Sequence, residues 1–130
     1  MKKHILCIDD EVPIRELLKE ILSLKGYRVS VAASAIEAMR SVESDLPNLI
    51  ISDLQLDDDD GLVLIEKLKQ LAPNAPVLLL TGVIFDPVVI RDTIRKQVSS
   101  YMVKTDSIQN IIKEIQRLIG DNTADSATPA

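Results

Sequence analysis

The sequence predicts an α/β domain in which a parallel β-sheet is covered by helices. Short apolar runs alternate along the chain with longer stretches in which apolar residues recur at helical spacing, an order typical of such a sheet. Three of the short runs are apolar throughout, as expected of strands that are buried on both faces. The chain has 130 residues, 46% of them hydrophobic, which is enough for one continuous core.

The unbroken apolar runs should form the centre of the sheet. They comprise residues 5–8, 49–51 and 77–80. Residues 27–31 alternate apolar and polar side chains, and residues 99–104 are also mixed, which indicates strands with one face or one edge in water. These two strands should flank the sheet, which then has five strands.

Five other stretches have the spacing of amphipathic helices. Two of them also carry a start signal. Ser34 followed by Glu37 matches a capping box, and Asp86 followed by Pro87 places a capping residue before a proline in the first turn. In chain order, the predicted helices cover residues 14–22, 35–42, 62–71, 87–94 and 108–119.

Composition and charge argue against several kinds of partner. Aromatic residues make up 2% of the chain and there is no Trp, so few rings are available to stack on bases. The 20 acidic residues outnumber the 15 basic ones, for a formal net charge of -5. Because this charge repels phosphate backbones and acidic lipid surfaces, we expect neither nucleic acid nor membrane binding by this domain.

We expect a reducing, cytoplasmic location. The only cysteine, Cys7, lies in an apolar run and has no partner for an intramolecular disulfide. Lys2 and Lys3 resemble the start of a signal peptide, but the apolar run that follows stops at Ile8 and is too short for targeting. No window approaches the ~20 apolar residues needed to cross a bilayer.

Residues 121–130 differ in composition from the rest of the chain. They are rich in Asp, Asn, Thr, Ala, Ser and Pro, which bury little apolar area. We therefore expect one domain over residues 1–120, followed by a disordered tail or the start of a linker to an output domain. The sequence leaves open which of the two applies.

The predicted strands end in acids, a hydroxyl and an amine. Asp9 and Asp10 follow the first strand, Asp53 follows the third, Thr81 ends the fourth, and Lys104 ends the fifth. The carboxyl ends of parallel strands lie on one edge of the sheet, where ligands bind in this fold class. We therefore expect these side chains to converge.

Three carboxylates at one edge need a cation, because each pair repels by roughly 1–4 kcal/mol at 4 Å, depending on the dielectric. Lys104 supplies one positive charge, and a divalent ion would bring the site close to neutrality. Ligands that are all oxygen favour Mg²⁺ over zinc. Bound Mg²⁺ can bridge a carboxylate to a phosphoryl group, so Asp53 could act as a nucleophile. Thr81 and Lys104 would then donate to the added charge.

The ordered set of motifs resembles the receiver domain of bacterial two-component response regulators. It comprises Asp9-Asp10-Glu11 after a strand, Asp53 after the next buried strand, Gly61 eight residues later, Thr81-Gly82, and Tyr101 three residues before Lys104. The similarity covers residues 3–119. It implies a doubly wound, flavodoxin-like sheet of strand order 2-1-3-4-5, flanked by five helices.

The resemblance implies a Mg²⁺ site built from four residues. Asp53 would be both the phosphoacceptor and a metal ligand, and Asp10 would be a direct ligand. Asp9 would be a supporting acid that acts partly through water. The backbone carbonyl of Gln55 would be a further ligand.

The resemblance also implies a switch. Thr81 and Lys104 would hold the phosphoryl oxygens, and Tyr101 would swing inward as Thr81 moves. The signal would reach the face formed by the fourth helix, the fifth strand and the fifth helix, where an output domain or a target protein could bind. The phosphodonor would be a phosphohistidine on a histidine kinase or a phosphotransfer protein. Such a domain is regulatory and not an enzyme beyond its own phosphorylation and dephosphorylation, and dimerisation on phosphorylation stays open.

Some positions depart from the family pattern. Thr105 follows Lys104 where the family usually has proline, often after a cis peptide bond, and a cis bond before threonine costs roughly 3–4 kcal/mol. The bond is therefore either cis and strained, or trans with a different approach of Lys104. Asp57 stands where proline is common and opens an acidic run. Gln55 and Val83 occupy variable positions that help to set the phosphoaspartate lifetime in the family.

Two other functions stay open on the sequence. A pseudo-receiver would share the fold but act as an interaction module that is never phosphorylated. A Mg²⁺-dependent phosphatase resembling the haloacid dehalogenase family would also form an aspartyl phosphate. However, Asp53-Leu54-Gln55 lacks the second acid that such enzymes use as general acid and base.

Overall fold

The computed structural model describes residues 2–53, 55–56, 59–82 and 98–120. Its main sheet contains β1 (His4–Ile8), β2 (Arg28–Ala32), β3 (Leu49–Ser52), β4 (Val77–Thr81) and β5 (Ser100–Val103). The helices in this part of the chain are α1 (Val12–Leu24), α2 (Ala35–Ser44), α3 (Gly61–Leu71) and α4 (Ile108–Ile119). The helix predicted after Asp86-Pro87, the positions of Asp57 and Val83, and residues 121–130 lie outside the described residues.

The five strands are ordered β2-β1-β3-β4-β5, and all neighbouring pairs are parallel. The predicted strand order is therefore confirmed. The three strands predicted to be central are central and consist of buried residues. The two mixed runs form the edges, where only part of each strand is covered.

The sheet separates the core into two clusters, because alternate residues of a strand point to opposite faces. Leu6 and Ile8 of β1 belong to one cluster with side chains of α2 and α3. Ile5 and Cys7 belong to the other, with side chains of α1 and α4. Burial raises the pKa of the Cys7 thiol to about 12, as expected of a thiol that packs in an apolar core.

Side chains cap three of the helices. Ser34 Oγ accepts a hydrogen bond from the Glu37 N–H at 3.3 Å, which confirms the predicted start of α2. Glu37 Oε1 reaches back to the N–H of Ala33 at 3.3 Å, one residue before the position that a capping box uses. Asp60 Oδ1 accepts from the Leu62 N–H at 2.9 Å, and Ser107 Oγ caps α4 in the same way.

Two features of the fold were not predicted. Gln55–Leu56 and Asp59–Asp60 form a short antiparallel ladder between β3 and α3. At the opposite end of the sheet, the buried Tyr27 donates its hydroxyl hydrogen to the carbonyl oxygen of Gly120 at 2.8 Å. This bond ties the end of α4 to the edge strand β2. None of the helices in the described part of the chain has the length and apolar character that crossing a bilayer requires.

Candidate functional site

The site lies at the carboxyl edge of the sheet, where backbone hydrogen bonds fix the first residue after β1, β3 and β5. The Asp9 N–H donates to the carbonyl of Ala32 on β2 at 3.1 Å, and the Asp53 N–H donates to that of Ile8 on β1 at 3.2 Å. The Lys104 N–H donates to the carbonyl of Thr81 at 2.8 Å. The parallel ladder therefore continues one residue beyond the strands and holds the polar residues in register.

Asp9, Asp10 and Asp53 come together as predicted. One carboxylate oxygen from each lies within 4.8 Å of those of the other two. Asp9 and Asp53 are buried, at 3% and 5% exposure, and Asp10 is half-buried. A cluster of hard oxygen donors with one side open to solvent suits a small divalent cation that keeps some of its water ligands. These residues therefore fit Mg²⁺.

Lys104 reaches into this cluster from the end of β5. Its Nζ lies 2.7 Å from Asp53 Oδ2 and 2.8 Å from Asp9 Oδ2. Its side chain is only 9% exposed, so these ion pairs are shielded from water and from salt. Gly82 lies against the methylene stem, where an added Cβ would sit 3.8 Å from Lys104 Cδ. The predicted convergence of Lys104 with Asp53 is thus present in the described residues.

The pKa values of Lys104 and Asp9 both depart from their ordinary values. Burial opposes the charge on Lys104, but hydrogen bonds to Asp53 and Asp9 and the attraction of both carboxylates outweigh burial and raise the pKa of the ammonium group. Burial also raises the pKa of Asp9, and the charge on Asp53 adds to this effect. Hydrogen bonds from Lys104 and the Glu11 backbone act in the opposite direction without cancelling it. Lys104 is therefore a permanent cation, whereas the charge on Asp9 is only partly compensated.

The peptide bond between Lys104 and Thr105 is trans. The missing proline therefore does not keep the lysine away from Asp53. Of the two alternatives that the sequence left open, the trans form is present, and it delivers the ammonium group into the acid cluster.

The other predicted site residues are Thr81, Tyr101 and Gln55. Thr81 is fully buried at the end of β4, beside the strand that leads to Asp53. Tyr101 is half-buried on β5 and packs against the core cluster on the α2 and α3 side of the sheet. The backbone of Gln55 opens the short ladder after Asp53, and its side chain is not among those described.

Sequence reasoning did not assign a role to Glu11 or Arg15. Glu11 Oε2 lies 3.4 Å from Lys104 Nζ, and the Glu11 N–H donates to Asp9 Oδ1 at 2.9 Å. Arg15 Nη1 donates to the backbone carbonyl of Asp9 at 2.7 Å. The signal was present, since both residues lie in or beside the first turn of α1, which places them next to the end of β1.

Comparison with known proteins identifies the family of this chain. The family model for the response regulator receiver domain matches residues 5–116. The response regulator MprA of Mycobacterium ulcerans is 27% identical over 139 aligned residues, which cover 97% of this chain and 56% of the relative. The chain thus spans about half the length of that curated relative.

Solved structures extend the comparison. A CheY-like receiver domain protein of Methanospirillum hungatei has a TM-score of 0.84 at 27% identity, with 96% of this chain and 99% of that chain covered. A response regulator of Burkholderia pseudomallei, solved with a phosphorylated aspartic acid, a calcium ion and citrate, has a TM-score of 0.81 at 28% identity. That match covers 97% of this chain and 74% of the other. Together with the family model, the sheet order and the acid cluster, these matches establish that the chain belongs to the response regulator receiver domains of two-component systems.

Proposed function

We propose that this chain is a phosphorylation-dependent switch in which Asp53 accepts a phosphoryl group in the presence of Mg²⁺. The observation that carries the proposal is the position of Asp53, a residue that is 5% exposed, lies among the clustered acids and has its Oδ2 2.7 Å from Lys104 Nζ. The donor would be a phosphohistidine on a histidine kinase or a phosphotransfer protein, the partners that response regulators have.

Asp9, Asp10 and Asp53, with the backbone carbonyl of Gln55, are the groups that would hold Mg²⁺. When bound, the ion shields the charge between the attacking carboxylate and the phosphoryl oxygens. A carboxylate oxygen of Asp53 forms the new bond to phosphorus as the bond from phosphorus to the histidine nitrogen breaks. The electron pair of the broken bond stays on that nitrogen, which takes up a proton from solvent. The donor histidine therefore leaves as a neutral imidazole.

Lys104 and Thr81 would receive the phosphoryl oxygens. Phosphorylation replaces one negative charge at Asp53 by about two, and the added charge requires donors inside a poorly hydrated pocket. Lys104 already contacts Asp53 and keeps its proton because its pKa is raised. The Thr81 hydroxyl lies on a fully buried residue at the adjacent strand end.

The signal would leave the site along β4 and β5. Thr81 pairs with Val103, and Leu79 pairs with Tyr101, within the same ladder. An inward movement of Thr81 would therefore be felt at Tyr101, and we propose that Tyr101 adjusts with it. The output face would comprise β5, α4 and the helix predicted after Asp86-Pro87, and it would bind an output domain, a target protein or a second phosphorylated copy.

We further propose that residues 1–120 form the receiver domain and that residues 121–130 form a tail or the beginning of a linker.

The test is phosphorylation by a small donor. The full chain is incubated with Mg²⁺ and acetyl phosphate, and intact mass is measured. We expect a gain of one phosphoryl group that is absent after Asp53→Ala substitution and absent when EDTA removes the metal. Asp45→Asn is the matched control, because Asp45 is 44% exposed and pairs with Arg28 instead of Lys104. It should be phosphorylated like the wild type.

The same experiment separates the rival functions. No mass gain with any donor, in a folded protein, would favour the pseudo-receiver and contradict the switch. Repeated turnover of a generic phosphate ester that depends on Asp53 would favour the phosphatase instead.

A further inference from the structure

Glu11 lies beside the pocket but outside the acid cluster that would hold the metal. Its carboxylate is 3.4 Å from Lys104 Nζ and its side chain is 58% exposed, whereas the Asp9 and Asp53 side chains are 5% and 6% exposed. Glu11 is also the residue before the first turn of α1, yet its side chain accepts no capping hydrogen bond. Its carboxylate is therefore directed to Lys104 and not to the helix start.

Lys104 and a divalent cation would compete for the same oxygens. The ammonium group contacts Asp9 and Asp53, and both acids belong to the cluster that suits the cation. Two positive centres that share these ligands would repel one another. Lys104 must therefore loosen at least one of these ion pairs when the metal binds. Among the described residues, the third anion within ion-pair distance of Lys104 is Glu11.

We propose that Glu11 is a positioning residue, which draws the Lys104 ammonium group towards the rim of the pocket when a divalent cation occupies Asp9, Asp10 and Asp53. This inference rests on the proposed function of the site. Glu11 thereby lowers the cost of metal binding and keeps Lys104 beside the pocket, where it is needed for the incoming phosphoryl group. Repulsion from the cation alone sets no direction for the lysine, whereas attraction to Glu11 directs the ammonium group towards the rim.

A double-mutant cycle measures that direction. Mg²⁺ affinity is determined by isothermal titration calorimetry on the unphosphorylated full chain for the wild type, Glu11→Gln, Lys104→Met and the double variant. Glu11→Gln should weaken Mg²⁺ binding about two- to fivefold when Lys104 is present, the range expected for an ion pair at this exposure. In the Lys104→Met background the same substitution should have a clearly smaller effect, and the difference is the coupling between the two residues.

Two results would overturn the role of Glu11. Equal effects in both backgrounds would mean that Glu11 acts on the metal only as a nearby charge. A larger effect without Lys104 would mean that the lysine moves away from Glu11 on metal binding. Glu16→Gln removes the same charge from an exposed position of α1 and should leave the affinity within twofold of the wild type.

The measurements distinguish failure of the Glu11 role from failure of the proposed Mg²⁺-dependent phosphorylation. If the wild type binds Mg²⁺ and is phosphorylated but the cycle shows no coupling, only the role of Glu11 fails. If the wild type binds no Mg²⁺, the proposed function fails at its first step. Lys104→Gln replaces Lys104→Met if the latter does not reach the wild-type circular dichroism spectrum, because the Gln amide still offers Asp53 a donor.

Discussion

Asp9 is a buried acid whose surroundings disfavour its charge. Burial raises its pKa and the neighbouring Asp53 adds to the effect, while the hydrogen bond from Lys104 only partly offsets them. The folded protein therefore binds this proton more tightly than the unfolded chain does. Ionised Asp9 costs stability at every pH above the ordinary value of 3.8, and this cost is largest at neutral pH. Such a cost is expected where a site is built to hold a cation.

We predict that Asp9→Asn raises the melting temperature of the metal-free protein by a few degrees at pH 7, because about 1 kcal/mol shifts the melting temperature of a domain of this size by roughly 3–6 °C. Calorimetry in EDTA measures the effect. The advantage should shrink as the pH falls and should be lost below 3.8, where the wild-type acid becomes protonated in the unfolded state as well. In Mg²⁺ the order should reverse, because the variant loses a carboxylate of the cluster.

The matched control for Asp9 is Asp45→Asn. Arg28 donates to Asp45 and lowers the pKa of that exposed carboxyl, so its loss should slightly lower the melting temperature in EDTA. If Asp9→Asn instead lowers the melting temperature under the same conditions, the charge on Asp9 does not cost the folded protein stability.

At single positions, the sequence predicted the acids and the lysine because strand ends share one edge of a parallel sheet. It did not assign a role to Glu11 or Arg15, because their contacts depend on how the chain turns between the end of β1 and the start of α1. The same limit applied to the bond between Lys104 and Thr105, where the two peptide isomers cannot be separated by residue type alone.

The elements differ in how far the sequence predicts their bounds and contacts. The start of α2 was predicted from Ser34, whose side chain hydrogen-bonds three residues ahead, and Asp60 caps α3 over a similarly short range. The short ladder of Gln55–Leu56 with Asp59–Asp60 carries no periodic signal, because two-residue strands are too short to show one. The contact between β5 and α4 could not be predicted either, because it is a hydrogen bond between the side chains of Ser100 and Glu114, which are distant in the sequence.

Glu114 gives the β5–α4 contact a pH dependence. Hydrogen bonds from Arg117 and Ser100 lower its pKa from the ordinary 4.5 to about 2. A lowered pKa means that the folded state favours the charged form, so the stabilisation is present above pH 4.5 and is lost as the pH falls towards 2. We predict that Glu114→Gln lowers the free energy of unfolding at pH 7, measured as a lower urea midpoint. The loss should be less than about 1 kcal/mol because the ion pair is partly exposed.

The difference between Glu114→Gln and the wild type should diminish below pH 4.5, which urea titrations at several pH values would follow. Glu16→Gln, on the exposed side of α1, should give the same midpoint as the wild type at each pH. A pH-independent difference for Glu114→Gln would show that packing, and not charge, is lost.

The whole molecule is organised by a sheet that is covered on both faces. The apolar runs were sufficient to predict which strands are central, because only a doubly covered strand excludes water from alternate residues on both sides. The order of the strands required the family resemblance, since composition does not state which central strand lies beside which. The bond between Tyr27 and Gly120 spans 93 positions in the sequence, and no local pattern could have predicted it.

Although the sheet separates two core clusters, both clusters contain residues of the same strands. The domain should therefore unfold as a single unit. Leu78 and Leu79 are adjacent on β4 and fully buried, but Leu78 packs with the α1 and α4 side and Leu79 with the α2 and α3 side. Either substitution to alanine removes buried methyl groups and leaves a cavity, at a cost of about 2–5 kcal/mol. We predict that Leu78→Ala and Leu79→Ala each lower one melting transition, detected alike by calorimetry and circular dichroism. Leu24→Ala, at a position 81% exposed, should change it little, and a second transition in either core variant would mean that the two faces unfold independently.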